Sequence, residues 1–297
     1  MPLQVMLTGA AGHLGSEVCR ALVAAGHTVR AADRAYRKDL PVPVTVVDLV
    51  DYRAVYPLVE GCQAVAHMAN HPNIGSRMPH QLLYAENVSM DINVFQAAVD
   101  AGVKRLMFAS SVQAMSGSRS GEDGLAKPSC LPYLPIDGDA PARPGNLYAL
   151  SKEAGEQQLR HYAARDPELS CTAVRFPFIL GRRHLEWFRR EGRGRPTKPM
   201  GPLDEAFAYL SVSDAASLVV AILERQAPGY HQLFPAAPDP YLAMPVAEIV
   251  KQFYPGVPLK VPLGQMRGLV DISAMERALG WTPKDVGQFG GAEGARG

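Results

Sequence analysis

The feature that most constrains this chain is a glycine-rich turn between an apolar strand and a helix. Residues 3–7 form an apolar run of strand length, and residues 16–25 carry apolar side chains at helical spacing. Residues 8–15, between them, read Thr-Gly-Ala-Ala-Gly-His-Leu-Gly. The three glycines allow a tight turn, a close backbone approach to a pyrophosphate and close packing of the helix on the strand. The turn therefore predicts dinucleotide binding at the helix N-terminus, in preference to a purely structural turn.

The residue that follows the second strand bears on the choice of cofactor. Residues 28–32 are predicted to form the second strand, which ends in Asp33. An acidic side chain there accepts hydrogen bonds from the adenosine ribose and repels a 2′-phosphate, which favours NAD. Arg34 is its neighbour and can accommodate a 2′-phosphate. We therefore expect NAD as the cofactor, with NADP as the open alternative.

Strand and helix patterns alternate along the first two thirds of the chain. Further strands are predicted at 43–47, 64–68, 105–109, 171–176 and 209–212, and helices at 79–101, 148–165, 215–225, 246–253 and 271–279. This alternation predicts an α/β fold, a Rossmann-type doubly wound parallel sheet with helices on both faces. Ligands bind at the carboxyl ends of such strands, where Asp48 and Ser111 stand. His67 lies inside an apolar run, and we expect it to be a buried, hydrogen-bonded imidazole.

Tyr148 and Lys152 form the candidate proton-transfer pair. They lie four residues apart on one face of a predicted helix. A cation close to a phenol favours the phenolate and lowers its pKa, which suits general acid–base chemistry. The same spacing also fits two residues on a solvated helix face. The phosphate turn, the acidic ribose partner and Ser111 at a strand end favour the catalytic interpretation.

Composition excludes several other classes of function. The chain has 297 residues and a formal net charge of +1, so no overall basic field indicates a nucleic acid or a membrane surface as partner. Its four cysteines form no C-x-x-C motif, so we expect no metal site and a reducing, cytoplasmic location. We also expect no signal peptide and no transmembrane segment.

Two segments are harder to interpret. Residues 116–145 are rich in Gly, Pro, Ser and Asp and predict a long irregular loop, a length that is usually functional or mobile. Residues 182–198 contain six arginines and a lysine against two glutamates. They fit either a solvated helix and loop or an anion site for a substrate carboxylate or phosphate.

Taken together, these motifs resemble the extended short-chain dehydrogenase/reductases, the NAD-dependent epimerase/dehydratase family. The resemblance covers about residues 3–285. It rests on the glycine turn, Asp33, Asp48-Leu49, His67-Met68-Ala69, Asn87-Val88, Ser110-Ser111, Tyr148-x-x-x-Lys152, residues 175–181, Val212-Ser213-Asp214 and Leu279-Gly280-Trp281-x-Pro283.

The resemblance implies a role for each site residue. Tyr148 would exchange a proton with the substrate oxygen, Lys152 would lower the tyrosine pKa and hold the nicotinamide ribose, and Ser111 would hydrogen-bond the reacting oxygen. The implied cofactor-binding residues are Gly9, Gly12, His13, Leu14, Gly15, Asp33, Arg34, Asp48, Leu49, Met68, Ala69, Asn87, Tyr148, Lys152 and Pro177. The substrate would contact Ser111, Gln113, Phe178 and Arg182.

Departures from the family pattern narrow the reaction. Val112 and Gln113 stand where sugar-nucleotide dehydratases carry an acidic pair, and Phe178 stands where 4-epimerases often carry an asparagine. We therefore expect an NAD(P)-dependent oxidoreductase that acts on a hydroxyl or carbonyl carbon of a small polar substrate, such as a sugar or sugar acid. Alternatives are a nucleotide-sugar 4-epimerase and a non-catalytic protein that senses dinucleotides.

We also expect two domains. Residues 1–176 with 209–228 would form the dinucleotide-binding domain, and residues 177–208 with 229–297 a smaller, discontinuous lobe that binds substrate. Family analogy implies a homodimer through the helices at 79–101 and 148–165.

Overall fold

The computed structural model describes residues 1–72, 77–116, 131–181 and 203–285. Within them the strands are β1 (Gln4–Thr8), β2 (Thr28–Asp33), β3 (Val44–Val46), β4 (Ala64–His67), β5 (Arg105–Ser111), β6 (Ser170–Phe176), β7 (Phe178–Leu180), β8 (Tyr209–Ser211) and β9 (Gly229–Leu233). The helices are α1 (His13–Ala24), α2 (Tyr52–Val59), α3 (His80–Asp100), α4 (Leu147–Arg165), α5 (Val212–Arg225), α6 (Val246–Phe253) and α7 (Ser273–Leu279). Short 3₁₀ turns span Val112–Ala114, Leu203–Glu205 and Leu263–Gln265.

Seven strands form one parallel sheet in the order β3-β2-β1-β4-β5-β6-β9. Successive residues of β1 point to opposite faces, and both faces are covered. Val5 and Leu7 belong to a core with α1 and α5. Met6 belongs to a second core with α2, α3 and α4. Strands buried on both faces read as apolar runs without alternation, which is why the sequence shows them so clearly. The predicted fold class is confirmed.

The strand order reverses between β1 and β4, which lie side by side although α1, β2, β3 and α2 separate them in the chain. The chain leaves β1 toward β2 and β3 on one side of the sheet, and it leaves β4 toward β5, β6 and β9 on the other side. The loops that follow β1 and β4 therefore diverge and leave a crevice outside the carboxyl ends of these strands. The glycine turn after β1 and residues 68–72 after β4 both open into it.

A third apolar core lies outside the sheet. It joins the loop residues Leu134 and Ile136 to Phe207, Phe234 and Ile249. Leu134 pairs with Leu259, and Ile136 pairs with Val270, in isolated parallel bridges. The part of the predicted irregular loop that the structure describes is thus packed and hydrogen-bonded.

The boundary between sheet and lobe differs from the expected one at residue 229. Strand β9 pairs with β6 from Ser170–Gly229 to Val174–Leu233, so the sheet extends five residues further. Helix α7 and Trp281 also pack in the core under α5. Conversely, β8 pairs with β7 in a separate two-stranded sheet, although Leu210 of β8 packs with α5 in the core on the main sheet. Among the described residues, no helix combines the length and apolarity needed to cross a bilayer.

Candidate active site

A cleft of about 1150 Å³ lies at the carboxyl ends of β1, β2 and β4. Most of the residues predicted to bind the cofactor line it. They are Gly9, Gly12, His13, Leu14, Gly15, Asp33, Arg34, Asp48, Leu49, Met68, Ala69, Tyr148 and Pro177, together with the predicted catalytic Ser111.

Four predicted site residues lie outside the cleft lining, and a fifth is not described. Lys152 is 1% exposed and lies beneath the lining. Gln113 and Phe178 are absent from the lining, although Phe178 is exposed. Asn87 is buried. Its Oδ1 accepts a hydrogen bond from the His71 N–H at 2.7 Å, and its Nδ2 donates one to the His71 carbonyl at 3.2 Å. Arg182 and the rest of the basic segment lie outside the described residues.

The glycine turn has the geometry that its spacing predicts. Gly9 has a φ of +67°, and a β-carbon there would come within 2.6 Å of the Ala69 nitrogen. The N–H of Gly12 donates to the Gly9 carbonyl at 3.1 Å and closes the turn. A β-carbon on Gly15 would collide with that same carbonyl oxygen, since α1 packs directly on the turn. No side chain therefore covers the glycine backbone that faces the cleft at the N-terminus of α1, so a pyrophosphate can approach it closely.

Gly15→Ala is expected to destabilise the fold by about 1–3 kcal/mol and to weaken NADH binding, because α1 must shift away from the turn. Gly264→Ala is the matched control, since a β-carbon there meets no atom within 4 Å. Urea unfolding and NADH fluorescence titration measure both effects. Equal behaviour of the two variants would show that the close packing at Gly15 is unimportant.

The ribose end of the cleft is built around Asp33. Its Oδ2 accepts a hydrogen bond from the Ala11 N–H at 2.9 Å, and its Oδ1 accepts one from the Ala35 N–H at 3.0 Å. Each carboxylate oxygen keeps a further lone pair, so ribose hydroxyls can still donate to this fixed side chain. Arg34 is also held, since Nη1 lies 3.0 Å from Nδ1 of His71.

His71 and Glu86 complete this end of the cleft, and sequence reasoning missed both. Nε2 of His71 lies 2.7 Å from the Glu86 carboxylate. Because Arg34 has only donors, Nδ1 of His71 is the acceptor and Nε2 carries the proton. The position of His71, four residues beyond the carboxyl end of β4, is the signal that could have indicated it.

Ser111 and Tyr148 meet at the other end of the cleft. Ser111 ends β5, and its Oγ accepts a hydrogen bond from the Gln113 N–H at 3.2 Å, which caps the 3₁₀ turn. Tyr148 lies in the first turn of α4, whose N-cap Asn146 accepts from the Ala149 N–H at 2.8 Å. Both side chains line the cleft, and Ser111 lies close enough to the phenol to lower its pKa. Strand end and helix start therefore bring a hydroxyl and a phenol to one point.

Burial affects the pKa values of both Tyr148 and Lys152. Burial raises the pKa of the Tyr148 phenol to about 12, and the hydrogen bond from Ser111 opposes that rise. Nζ of Lys152 lies over the Tyr148 ring, 5.8 Å from its centroid, and burial lowers the pKa of this lysine. Ser111 thus opposes the effect of burial on the tyrosine pKa, and the influence of Lys152 on that pKa stays a prediction.

A further carboxyl acts on Tyr148 and was missed from the sequence. Burial, followed by the charge of Asp204, raises the pKa of Glu205 to about 7. Glu205 also raises the pKa of Tyr148. It lies in a 3₁₀ turn directly before Ala206 and Phe207, whose φ values are +53° and +49°. No motif surrounds it, so only the tertiary structure identifies it.

A sequence profile of the NAD dependent epimerase/dehydratase family matches residues 5–233. The chain belongs to this family. The resemblance predicted from the sequence is therefore confirmed, and the expected cofactor NAD agrees with the family's description. Residues 234–285, which complete the third core, lie beyond the matched region.

Two relatives illustrate the chemistry found among similar proteins. An NAD-dependent glucose-6-phosphate dehydrogenase of Haloferax volcanii is 32% identical over 169 residues, which are 54% of this chain and 63% of that protein. A uronate dehydrogenase of Pseudomonas syringae pv. tomato is 32% identical over 165 residues, 54% of each chain. The chain thus spans little more than half the length of these curated relatives.

Solved structures agree on the fold. A UDP-glucose-4-epimerase from Stenotrophomonas maltophila, with bound NAD and formylated UDP-arabinopyranose, superimposes with a TM-score of 0.68. The match covers 96% of this chain and 95% of that chain at 21% identity. At this identity the likeness establishes the architecture, and the substrate has to be inferred from the site.

Proposed function

We propose that this protein is an NAD-dependent oxidoreductase acting on a hydroxyl or carbonyl carbon of a small polar substrate, a sugar or a sugar acid. The observation that carries the proposal is that Ser111 and Tyr148 lie side by side in the same cleft as the glycine turn. A proton-transfer group beside a dinucleotide cradle is the arrangement that hydride transfer to or from an alcohol requires.

The residues of the cleft fit the cofactor. The turn would be blocked by a β-carbon at Gly9 or Gly15, so its backbone is open to a pyrophosphate at the N-terminus of α1. Asp33 has lone pairs left for the adenosine ribose. Lys152 has a buried Nζ without a hydrogen-bond partner among the described residues, and ribose hydroxyls would supply one. These residues would hold the cofactor, whose nicotinamide would supply a hydride acceptor as NAD or a hydride donor as NADH.

Tyr148 moves the proton in this proposal. With a pKa of about 12 the phenol is neutral at neutral pH, the form that donates a proton to a substrate oxygen during reduction. During oxidation the phenolate accepts the proton, so oxidation should become faster as the pH rises toward that pKa. Ser111 hydrogen-bonds the reacting oxygen and stabilises the charge that develops on it.

The substrate class follows from groups around Ser111. Val112 is buried and apolar, and Gln113 is an amide, so neither supplies the acid–base pair that water elimination needs. Phe178, 47% exposed, offers an aromatic surface where a nucleotide phosphate would need a polar partner. The two relatives described above, a glucose-6-phosphate dehydrogenase and a uronate dehydrogenase, support a sugar-derived substrate.

The proposal is tested by incubating the protein with NAD and a panel of aldoses, sugar phosphates and uronic acids, following NADH fluorescence. We expect net NADH formation with at least one member. The same panel should include UDP-hexoses, analysed for epimers by chromatography. Epimer formation without net NADH would replace the oxidoreductase by a 4-epimerase.

We further propose that the protein is a homodimer through α3 and α4. These neighbouring helices expose Leu82, Ile92 and Leu150, each between 37% and 44%. Apolar side chains on a pair of adjacent helices are suited to burial against the same pair of a second copy. Sedimentation velocity measures the assembly, and a purely monomeric species at micromolar concentration would contradict it.

A further inference from the structure

Asp91 is a buried carboxylate that belongs to none of the motifs described above. It lies on α3 and is 0% exposed. Its Oδ1 accepts a hydrogen bond from Nε2 of His67 at 2.9 Å, whereas Oδ2 has no hydrogen-bond partner among the described residues. A buried carboxylate with an oxygen left unbonded is costly unless an opposite charge lies close by.

His67 does not supply that charge. The Thr8 hydroxyl oxygen accepts hydrogen bonds from the N–H groups of Met68 and Ala69, at 3.1 and 3.2 Å. Its single proton is therefore donated to Nδ1 of His67, 2.6 Å away. The imidazole is thus the neutral Nε2–H tautomer, which agrees with the predicted buried, satisfied histidine. It orients Asp91 without neutralising it.

Lys152 is a cation that packs in the same site as this carboxylate, without a direct ion pair between them. Its Nζ is buried without a hydrogen-bond partner and lies 4.7 Å from the centroid of the Phe108 ring. Gly155, three residues further along α4, packs so closely that a β-carbon would lie 2.6 Å from that ring and 2.8 Å from Oδ2 of Asp91. The lysine, the ring and the carboxylate therefore share one packed site, and the charge of Asp91 raises the pKa of Lys152 against burial.

The other charged groups around Lys152 are already compensated or act elsewhere. Glu156, on the same helix, also raises the lysine pKa, but its carboxylate bonds Arg175 at 2.9 and 2.7 Å and accepts from Ser110 at 2.6 Å. Tyr148 is neutral at neutral pH, and its pKa is raised by burial, then by the charge of Asp91 and then by that of Glu205. Among the described residues, Asp91 is thus the carboxylate near Lys152 whose charge has no partner of its own.

We propose that Asp91 is a positioning residue that keeps Lys152 protonated, and that Thr8 and His67 hold its carboxylate in place. The hydrogen bonds of Thr8 to Met68 and Ala69 connect this arrangement to the rim of the cofactor cleft. The inference rests on the proposed function in one respect, because it takes Lys152 as the group that binds the nicotinamide ribose.

Asp91→Asn removes the charge and keeps an oxygen for the His67 N–H. Cofactor affinity that depends on the ammonium is present below the pKa of Lys152 and is lost above it. Removal of an opposite charge lowers that pKa, so the alkaline loss of NADH binding should move to lower pH by about 1 unit or more. Fluorescence titration of NADH across the pH range measures it.

The matched control is Asp100→Asn, at the exposed end of the same helix, where the carboxylate bonds Tyr52 and Gln96. It should leave the pH midpoint unchanged. If Asp91→Asn has the same midpoint as the wild type and this control, the proposal is overturned.

A second measurement needs no cofactor. In Lys152→Met the Asp91 charge is buried without compensation, so adding Asp91→Asn should raise the urea midpoint of that variant. In the wild-type background, Asp91→Asn should raise the urea midpoint by less, or should lower it. An equal effect in both backgrounds shows that the two charges are not coupled and refutes the proposal. If the wild type failed to bind NADH, the proposed function would fall while this double-mutant cycle would still decide the inference.

Discussion

Replacing Tyr148 by phenylalanine is expected to lower kcat by about 100- to 10,000-fold, the range that a positioned acid–base group contributes. In the proposed mechanism the phenol exchanges a proton with the substrate oxygen, and its neighbour Ser111 is too weak an acid to replace it. The substitution keeps the aromatic ring at position 148 and does not alter the residues of the glycine turn. NADH affinity should therefore stay close to the wild-type value, as measured by fluorescence titration beside steady-state kinetics.

Tyr162→Phe provides the matched control on the same helix. Tyr162 is buried, donates to Gln96 at 2.9 Å and lies far along α4 from Tyr148, outside the cleft lining, so its loss should leave kcat unchanged. If Tyr148→Phe retained full activity while still binding NADH, the catalytic assignment would fail. A protein that binds NADH but turns over no substrate in either form would favour the dinucleotide-sensing alternative.

The largest loss of stability is expected from Glu156→Leu, at about 3–5 kcal/mol of unfolding free energy. Glu156 and Arg175 are 2% and 1% exposed and form a bidentate ion pair beneath Ser110. Arg175 also donates to the Ala140 carbonyl at 2.6 Å, so it ties α4 and β6 to the loop of the third core. Without Glu156 the guanidinium would be buried with no opposite charge. Urea unfolding followed by circular dichroism measures the loss.

The double variant Glu156→Leu with Arg175→Met tests the cause of that loss. Replacing both members of a buried pair by apolar side chains removes the uncompensated charge, so much of the stability should return. Lys104→Met is the control for an exposed ion pair. Nζ of Lys104 lies 2.9 Å from the Asp166 carboxylate, and both side chains are exposed to solvent, which screens their charges. It should have a far smaller effect than Glu156→Leu. A loss in the double variant as large as in Glu156→Leu would contradict this account.

The sequence predicted the position of a site residue wherever that position depends only on neighbouring residues in the chain. The glycine turn, Asp33 at the end of β2 and Ser111 at the end of β5 could be placed because a strand and its neighbouring loop are continuous in the chain. Strand β9 was missed because its residues are mostly half-buried at the edge of the sheet, so Gly229–Leu233 has no continuous apolar run. The predicted contacts of Gln113, Phe178 and the basic segment remain predictions.

By itself the sequence determined the doubly wound fold, the cofactor cradle and the Tyr148–Lys152 spacing, since all three depend on periodicities of a few residues. Only the tertiary structure decided what those residues experience. It packed Asp91, Phe108 and Lys152 together from α3, β5 and α4, and it brought Glu205 close enough to act on Tyr148. Protonation depends on burial and on charges that lie far apart in the chain, and a one-dimensional pattern records neither.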